Sequence, residues 1–163
     1  ILEHKTVYTA GTSANEKDLL DKNLPLIKTK RGGKITLHSP GQKVIYFVLN
    51  LNKRKKDIRN LVNLIENCII LTLKEFNLEA YKDSKNIGIW INNKKIAAIG
   101  IRIKKWIAYH GFSLNISNDL NEYKKIIPCG IKNKQMTSLK NLGVKNYSNI
   151  EKIIIKNFLN IFL

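Results

Sequence analysis

The sequence predicts a single α+β domain, a mixed and mostly antiparallel sheet with flanking helices. Three observations carry this expectation. The chain has 163 residues, 44% of them hydrophobic, enough for one core with an internal cleft. Short β-branched and aromatic runs lie on both sides of one long stretch with helical spacing. Short helical segments close the chain, so the order is strands, helix, strands, helices, not a repeating strand–helix alternation.

Residues 1–9 alternate weakly and read as a strand, which "GTSANEKDLL" breaks with a helical turn. Residues 24–42, "LPLIKTKRGGKITLHSPGQ", carry two glycines, Gly32-Gly33, and then Pro40-Gly41, inside strand-like pieces. "KVIYFVLNL" is β-branched and aromatic and reads as a buried strand. Over residues 55–77, Ile58, Leu61, Val62, Ile65, Ile69 and Leu73 recur at helical spacing. Cys68 lies beside that stripe and reads as a core thiol. Four strands follow, "LEAYK", "NIGIWI", "KKIAAIGIRI" and "WIAYHGFSLNI", with Asn92-Asn93 suited to a turn of positive φ. "NDLNEYKKI" reads as a helix capped by Ser117 or Asn118, with Asp119 in its first turn. "TSLKNLG" is a short helix closed by Gly143. "SNIEKIIIKNFLNIFL" is an amphipathic helix capped by Ser148 or Asn149.

The net charge of +17 admits three readings. They are a nucleic-acid partner, an acidic protein partner, or compositional drift in a chain crowded with Lys, Asn and Ile. The charges are scattered, with one cluster at "NKRKKD", and no aromatic–basic interleaving of an RNA-recognition type is present. The longest apolar runs, such as residues 68–71, fall far below the roughly 18 residues of a membrane span. Two cysteines make neither a disulfide framework nor a zinc spacing, which fits a reducing compartment.

Some segments are extravagant for a fold alone. Paired glycines in "RGGKITLHSPGQ" mark either a bulged hairpin or a close-approach wall. Lys95 precedes small apolar residues ending in Gly100. It is either a snorkelling surface lysine or an ammonium held in a cleft. In "YHGFSLNI", His110-Gly111 interrupts a strand, and His110 alone reads as structural. In "IIPCG", Pro128 and Gly130 present Cys129 at a rigid corner, where a lowered pKa would make it a nucleophile.

These pieces resemble, in order, the lipoyl(octanoyl) transferase family, also called lipoate-protein ligase B. "EHKTVYTAGTSA" resembles its opening motif. "RGGKITLHSPGQ" resembles its Arg-Gly-Gly-x-x-Thr-x-His-x-Pro-Gly-Gln segment. Lys95, Gly100, His110-Gly111, Asn115, Asp119-Leu120 and Pro128-Cys129-Gly130 match its central block, and "MTS" its Val-Thr-Ser. The resemblance implies the catalytic-domain fold of biotin and lipoate protein ligases. It implies octanoyl transfer from octanoyl-acyl carrier protein to a lysine of apo lipoyl domains, those of 2-oxoacid dehydrogenase complexes and the glycine cleavage H protein. It implies that no ATP and no other cofactor or metal is needed. Cys129 matches the thioester nucleophile and Lys95 the residue that lowers its pKa. Arg31, Gly32, Gly33, Lys34, Ile35, Thr36, Leu37 and His38 match substrate-binding positions. So do Ala98, Ile99 and Gly100, and Gly111, Phe112 and Ser113. Gly32, Gly33, Ala97, Ala98, Gly100 and Gly111 would leave an apolar slot for an eight-carbon chain.

Acidic partners now explain part of the charge better than nucleic acid. A cytoplasmic monomer without nucleic-acid or membrane partners is expected. The family carries a strand and helix ahead of the matched opening, which this chain is expected to lack. Ser39 stands where the family has Gly, Leu37 where an aromatic is common, and Lys5-Thr6 where a Pro-containing pair is usual. These departures are expected to reshape the slot. The alternatives are an ATP-dependent lipoate or biotin-type ligase, an inactive truncated homologue, and a non-enzymatic basic binding module.

Overall fold

The computed structural model describes residues 1–130 and 135–163. Among the described residues the expected single sheet is two sheets. The smaller holds β1 (Val7–Ala10), β2 (Leu26–Lys28) and β3 (Ile35–His38) in the order β2-β1-β3. Here β1 pairs parallel to β2 and antiparallel to β3. The larger is antiparallel, in the order β4-β8-β7-β6-β5. Its strands are β4 (Gln42–Asn50), β5 (Tyr81–Lys82), β6 (Ile89–Ile91), β7 (Lys94–Lys104) and β8 (Ile107–Asn115).

Two helices, α1 (Ile58–Lys74) and α2 (Ile150–Phe162), pack on each other and cover one face of the larger sheet. That face supplies Ile45, Ala97, Ala108, Phe112 and Leu114, and α1 answers with Leu61, Ile65, Ile69 and Leu73. Ile58 is exposed and Val62 lines the cleft described below, and the rest of the expected apolar stripe is buried. Cys68 lies in it with no exposure, and burial pushes its thiol up to about 12. Helix α1 starts at Ile58, the first residue of the hydrophobic spacing and three residues into the expected 55–77 stretch, because Asp57 accepts the Asn60 N–H at 2.9 Å and fixes the first turn. A second, smaller core joins Tyr8, Ala10, Ile35 and Leu37 to Tyr123 and Ile126.

Several local expectations change. Strand β4 is not buried along its length: Tyr46 and Val48 are exposed, because alternation turns them away from the face on which Ile45 and Phe47 meet the main core. Gly32-Gly33 lie in the bend before β3, not within a strand. The segment after Asn118 is a 3-10 helix, Leu120–Lys125, capped by Asp119, whose side chain accepts the Asn121 N–H at 2.9 Å. Trp106 belongs with Lys105 to a two-residue turn of positive φ, not to β8. Asn92 and Asn93 turn as expected, at φ 48° and 60°, and Gly143 closes its helical turn at φ 84°.

Candidate active site

A cleft of about 480 Å³ lies between the bend at residues 31–33, strand β3 and the open face of β4, β8 and β7. Twelve of the fourteen residues matched to substrate binding line it. They are Arg31, Gly32, Gly33, Lys34, Thr36 and His38, Ala98, Ile99 and Gly100, and Gly111, Phe112 and Ser113. Ile35 and Leu37 do not line it, because alternation along β3 turns them into the second core, at 1% and 0% exposure. Ala97 likewise belongs to the main core. Of the departures from the family pattern, Leu37 is in that second core and Ser39 is buried, and neither reaches the cleft.

The cross-strand register explains the small residues. Gly111 sits between Tyr46 of β4 and Gly100 of β7, and Ser113 sits between Val44 and Ala98. A Cβ on Gly32 would come within 2.6 Å of the Ile101 carbonyl, where the Gly32 N–H donates to that oxygen at 3.1 Å. This bond holds the glycine bend against β7. Arg31 holds its other side. Its Nη2 donates to the Thr9 carbonyl at 2.7 Å and its Nη1 to the Gly32 carbonyl at 3.0 Å.

Lys95 is 3% exposed and lines the same cleft. Its Nζ donates to the Ile87 carbonyl at 2.7 Å and lies 5.4 Å from the centre of the Trp90 ring. The choice between snorkelling and cleft lysine thus resolves to the cleft. Its backbone is fixed as well: Lys95 N–H donates to Gln135 O and Lys95 O accepts from Thr137 N–H, both at 2.9 Å. Gly88 leaves the space through which this side chain runs. A Cβ there would overlap Lys95 Cε and come within 2.6 Å of the Ala97 carbonyl.

Cys129 belongs by its backbone to the 3-10 turn Pro128–Gly130; its side chain lies outside the described residues. Its neighbour Gly130 lines the cleft and packs against the Lys34 side chain.

His38 closes the cleft's polar end. Gln42, fully buried, donates its amide Nε2 to Asn115 Oδ1 at 2.8 Å and to Tyr123 Oη at 2.9 Å. Its Oε1 therefore accepts the Nδ1–H of His38 at 2.7 Å. Burial pushes His38 down to about 4, opposed by the Gln42 hydrogen bond and reinforced by Arg31 and His4. An unfolded histidine takes its proton near pH 6.5, whereas the folded His38 stays neutral to about pH 4. Stability is therefore lost as pH falls through that window, by up to about 3 kcal/mol. His38→Gln is expected to flatten this loss in urea unfolding measured from about pH 7 to about pH 4.5.

Val44, Tyr46, Val62, Lys85, Asn86, Ile87 and Ile101 also line the cleft without having been assigned to it from the sequence, as does His110, which reads there as structural. His110 carries a signal in retrospect. Strand β8 pairs without a break through His110-Gly111, so the expected interruption is in the dihedral, not the ladder. At φ 66° the His110 ring comes beside that of its neighbour Tyr109, with centroids 5.0 Å apart. Its Nε2 is buried without a partner. Nothing local in residues 85–87 marks them as cleft residues; they reach it through the path of the loop ahead of β6. Among the described residues no helix is long and apolar enough to cross a membrane.

Comparison with known proteins gives the family and the fold. The family "Lipoyl protein ligase A/B catalytic domain" matches residues 1–159. The octanoyltransferase of Wolbachia sp. subsp. Brugia malayi (strain TRS) is 49% identical over 168 residues, covering 99% of this chain and 82% of that protein. The octanoyltransferase of Anaplasma phagocytophilum (strain HZ) is 47% identical over 169 residues, covering 99% and 81%. Among solved structures, a lipoate-protein ligase A bound with ATP superposes with a TM-score of 0.79 at 14% identity, over 98% of this chain and 70% of that one. That last likeness concerns the fold alone.

Proposed function

Because the chain belongs to the lipoyl protein ligase A/B catalytic domain family, we propose that it is an octanoyltransferase. It moves an octanoyl group from octanoyl-acyl carrier protein to the target lysine of apo lipoyl domains, through a thioester on Cys129. Those domains are carried by 2-oxoacid dehydrogenase complexes and the glycine cleavage H protein. One observation carries this function. The buried Lys95 side chain opens onto the same cleft as the Arg-Gly-Gly bend, Gly100 and Gly111, and Gly130 beside Cys129 is on that cleft's wall.

The chemistry takes two steps. In the first, the Cys129 thiolate attacks the thioester carbon of the donor; a new C–S bond forms, the old one breaks, and the carrier leaves as its thiol. One thioester replaces another, so ATP is not needed. In the second, the lysine amine attacks the Cys129 thioester; the C–N bond forms, the C–S bond breaks, and the proton shed by the amine restores the thiol. A Lys95 cation favours the thiolate and the tetrahedral oxyanion, with backbone N–H groups near Gly100 or Cys129 as further donors. The glycine-lined slot takes the acyl chain, at about 0.8 kcal/mol per methylene removed from water.

The test is intact-mass spectrometry after mixing the chain with octanoyl-acyl carrier protein, without ATP. A gain of one octanoyl group, discharged by apo lipoyl domain, is the expected result. No adduct on a folded chain, with pyrophosphate release from ATP and free octanoate, would make it a ligase instead.

Lys95→Met is expected to slow formation of the octanoyl adduct by on the order of a hundredfold. Lys95→Arg should not rescue it, because a larger planar guanidinium does not reproduce the compact ammonium that donates to the Ile87 carbonyl. Gly88→Ala should act the same way by displacing the lysine. It adds a stability cost of about 1–3 kcal/mol, since Gly88 sits at φ 129°. Stopped acylation kinetics beside thermal melts separate the two effects.

A further inference from the structure

A second groove of about 930 Å³ adjoins the cleft but shares none of its described lining residues. Two consecutive stretches of chain divide them. Lys94 lines the groove and Lys95 the cleft; Pro128 lines the groove and Gly130 the cleft. Cys129 is thus the residue of the chain between a groove-lining and a cleft-lining neighbour.

The groove contains an unpaired amide. Asn118 lines it, is 5% exposed, and neither its Nδ2 nor its Oδ1 has a hydrogen-bond partner. A buried amide left unpaired is unfavourable unless something complementary fills the site. An amide-bearing ligand does so, its N–H donating to Oδ1 and its carbonyl accepting from Nδ2. Three exposed lysines, Lys94, Lys124 and Lys140, also line the groove. Its carboxylate, Asp119, is occupied by the Asn121 N–H and amide. The groove therefore favours an anion.

We propose that this groove binds the phosphopantetheine arm of the acyl carrier protein, a chain of amides ending in a phosphate. This rests on the octanoyl-transfer reading above. The donor has two chemically different halves joined at the thioester. An apolar chain in the cleft and an amide–phosphate arm in the groove set that thioester at the partition, where Cys129 lies. The phosphate meets the lysines and an arm amide meets Asn118.

The probe is octanoyl-phosphopantetheine with its thioester replaced by an amide, which cannot transfer, titrated calorimetrically. Asn118→Ala is expected to lose on the order of tenfold in affinity. The Lys94→Glu, Lys124→Glu, Lys140→Glu triple variant is expected to lose at least as much. The same analogue without its phosphate should bind the wild type more weakly and lose little more in the triple variant. The lysines are exposed, so that variant reads the groove even where Asn118→Ala fails to fold. Unchanged affinity of the analogue in both variants would overturn the proposal. So would weakened binding of apo lipoyl domain with the analogue unaffected, which would give the groove to the acceptor. A wild type that binds the analogue through Asn118 yet gains no octanoyl mass would count against Cys129 and for the groove. Normal acylation with analogue affinity indifferent to these residues would do the reverse.

Discussion

Cys129→Ala is expected to gain no octanoyl mass from octanoyl-acyl carrier protein and to lose transfer by on the order of a thousandfold or more. Its far-ultraviolet circular dichroism should match the wild type. The expectation is sharp because the chain has only one other thiol. Cys68 cannot stand in: it has no exposure, lies within the α1 core, and burial pushes its thiol up to about 12. At neutral pH it is a neutral thiol surrounded by side chains. The backbone position of Cys129 is different. Pro128 and Gly130 hold its backbone in a tight turn, and Gly130 packs against Lys34 on the cleft wall. An octanoyl adduct on Cys129→Ala would overturn the thioester route. Loss of the adduct with loss of fold would instead be exposed by the spectrum.

Gly111→Ala is expected to cost about 3 kcal/mol or more in urea unfolding. The cause is contact, not backbone conformation. A Cβ on Gly111 would overlap the Ile45 carbonyl oxygen and come within 3.0 Å of its carbon. Both are backbone atoms in the β4–β8 ladder, so neither can rotate away. The ladder would have to open beside the cleft, and acyl binding should weaken with it. Gly143→Ala is the control. Nothing lies within 4 Å of its Cβ position, and only the left-handed φ of 84° opposes the substitution. About 1 kcal/mol is expected there. Equal costs at the two sites would refute the packing account of Gly111.

The two glycines show what can be read from a sequence and what cannot. Gly143 follows a short helical pattern, and its role as a left-handed closing residue was legible from that pattern alone. Gly111 was legible only as a break in a strand and a small residue of the slot. Which backbone approaches, and from which strand, depends on a partner 66 residues earlier in the chain, Ile45. His38 is similar. Its motif pointed to the site, but its neutrality comes from burial, and the proton's place on Nδ1 from Gln42, itself oriented by Asn115 and Tyr123. No spacing rule links those four residues.

The sequence by itself determined the α+β class, the apolar stripe of α1, the Asn92-Asn93 turn, the burial of Cys68 and the segments that meet at the cleft. Each depends on periodicity, on local dihedral preference, or on motifs in register. Only the tertiary structure decided that there are two sheets and that Ile35, Leu37 and Ala97 face cores while their neighbours face the cleft. It also decided that Lys95 points inward past Gly88, and that a second groove with an unpaired Asn118 begins beside Pro128. The physical reason is that a side chain's facing is set by strand register, and register is set by contacts between residues far apart in the chain.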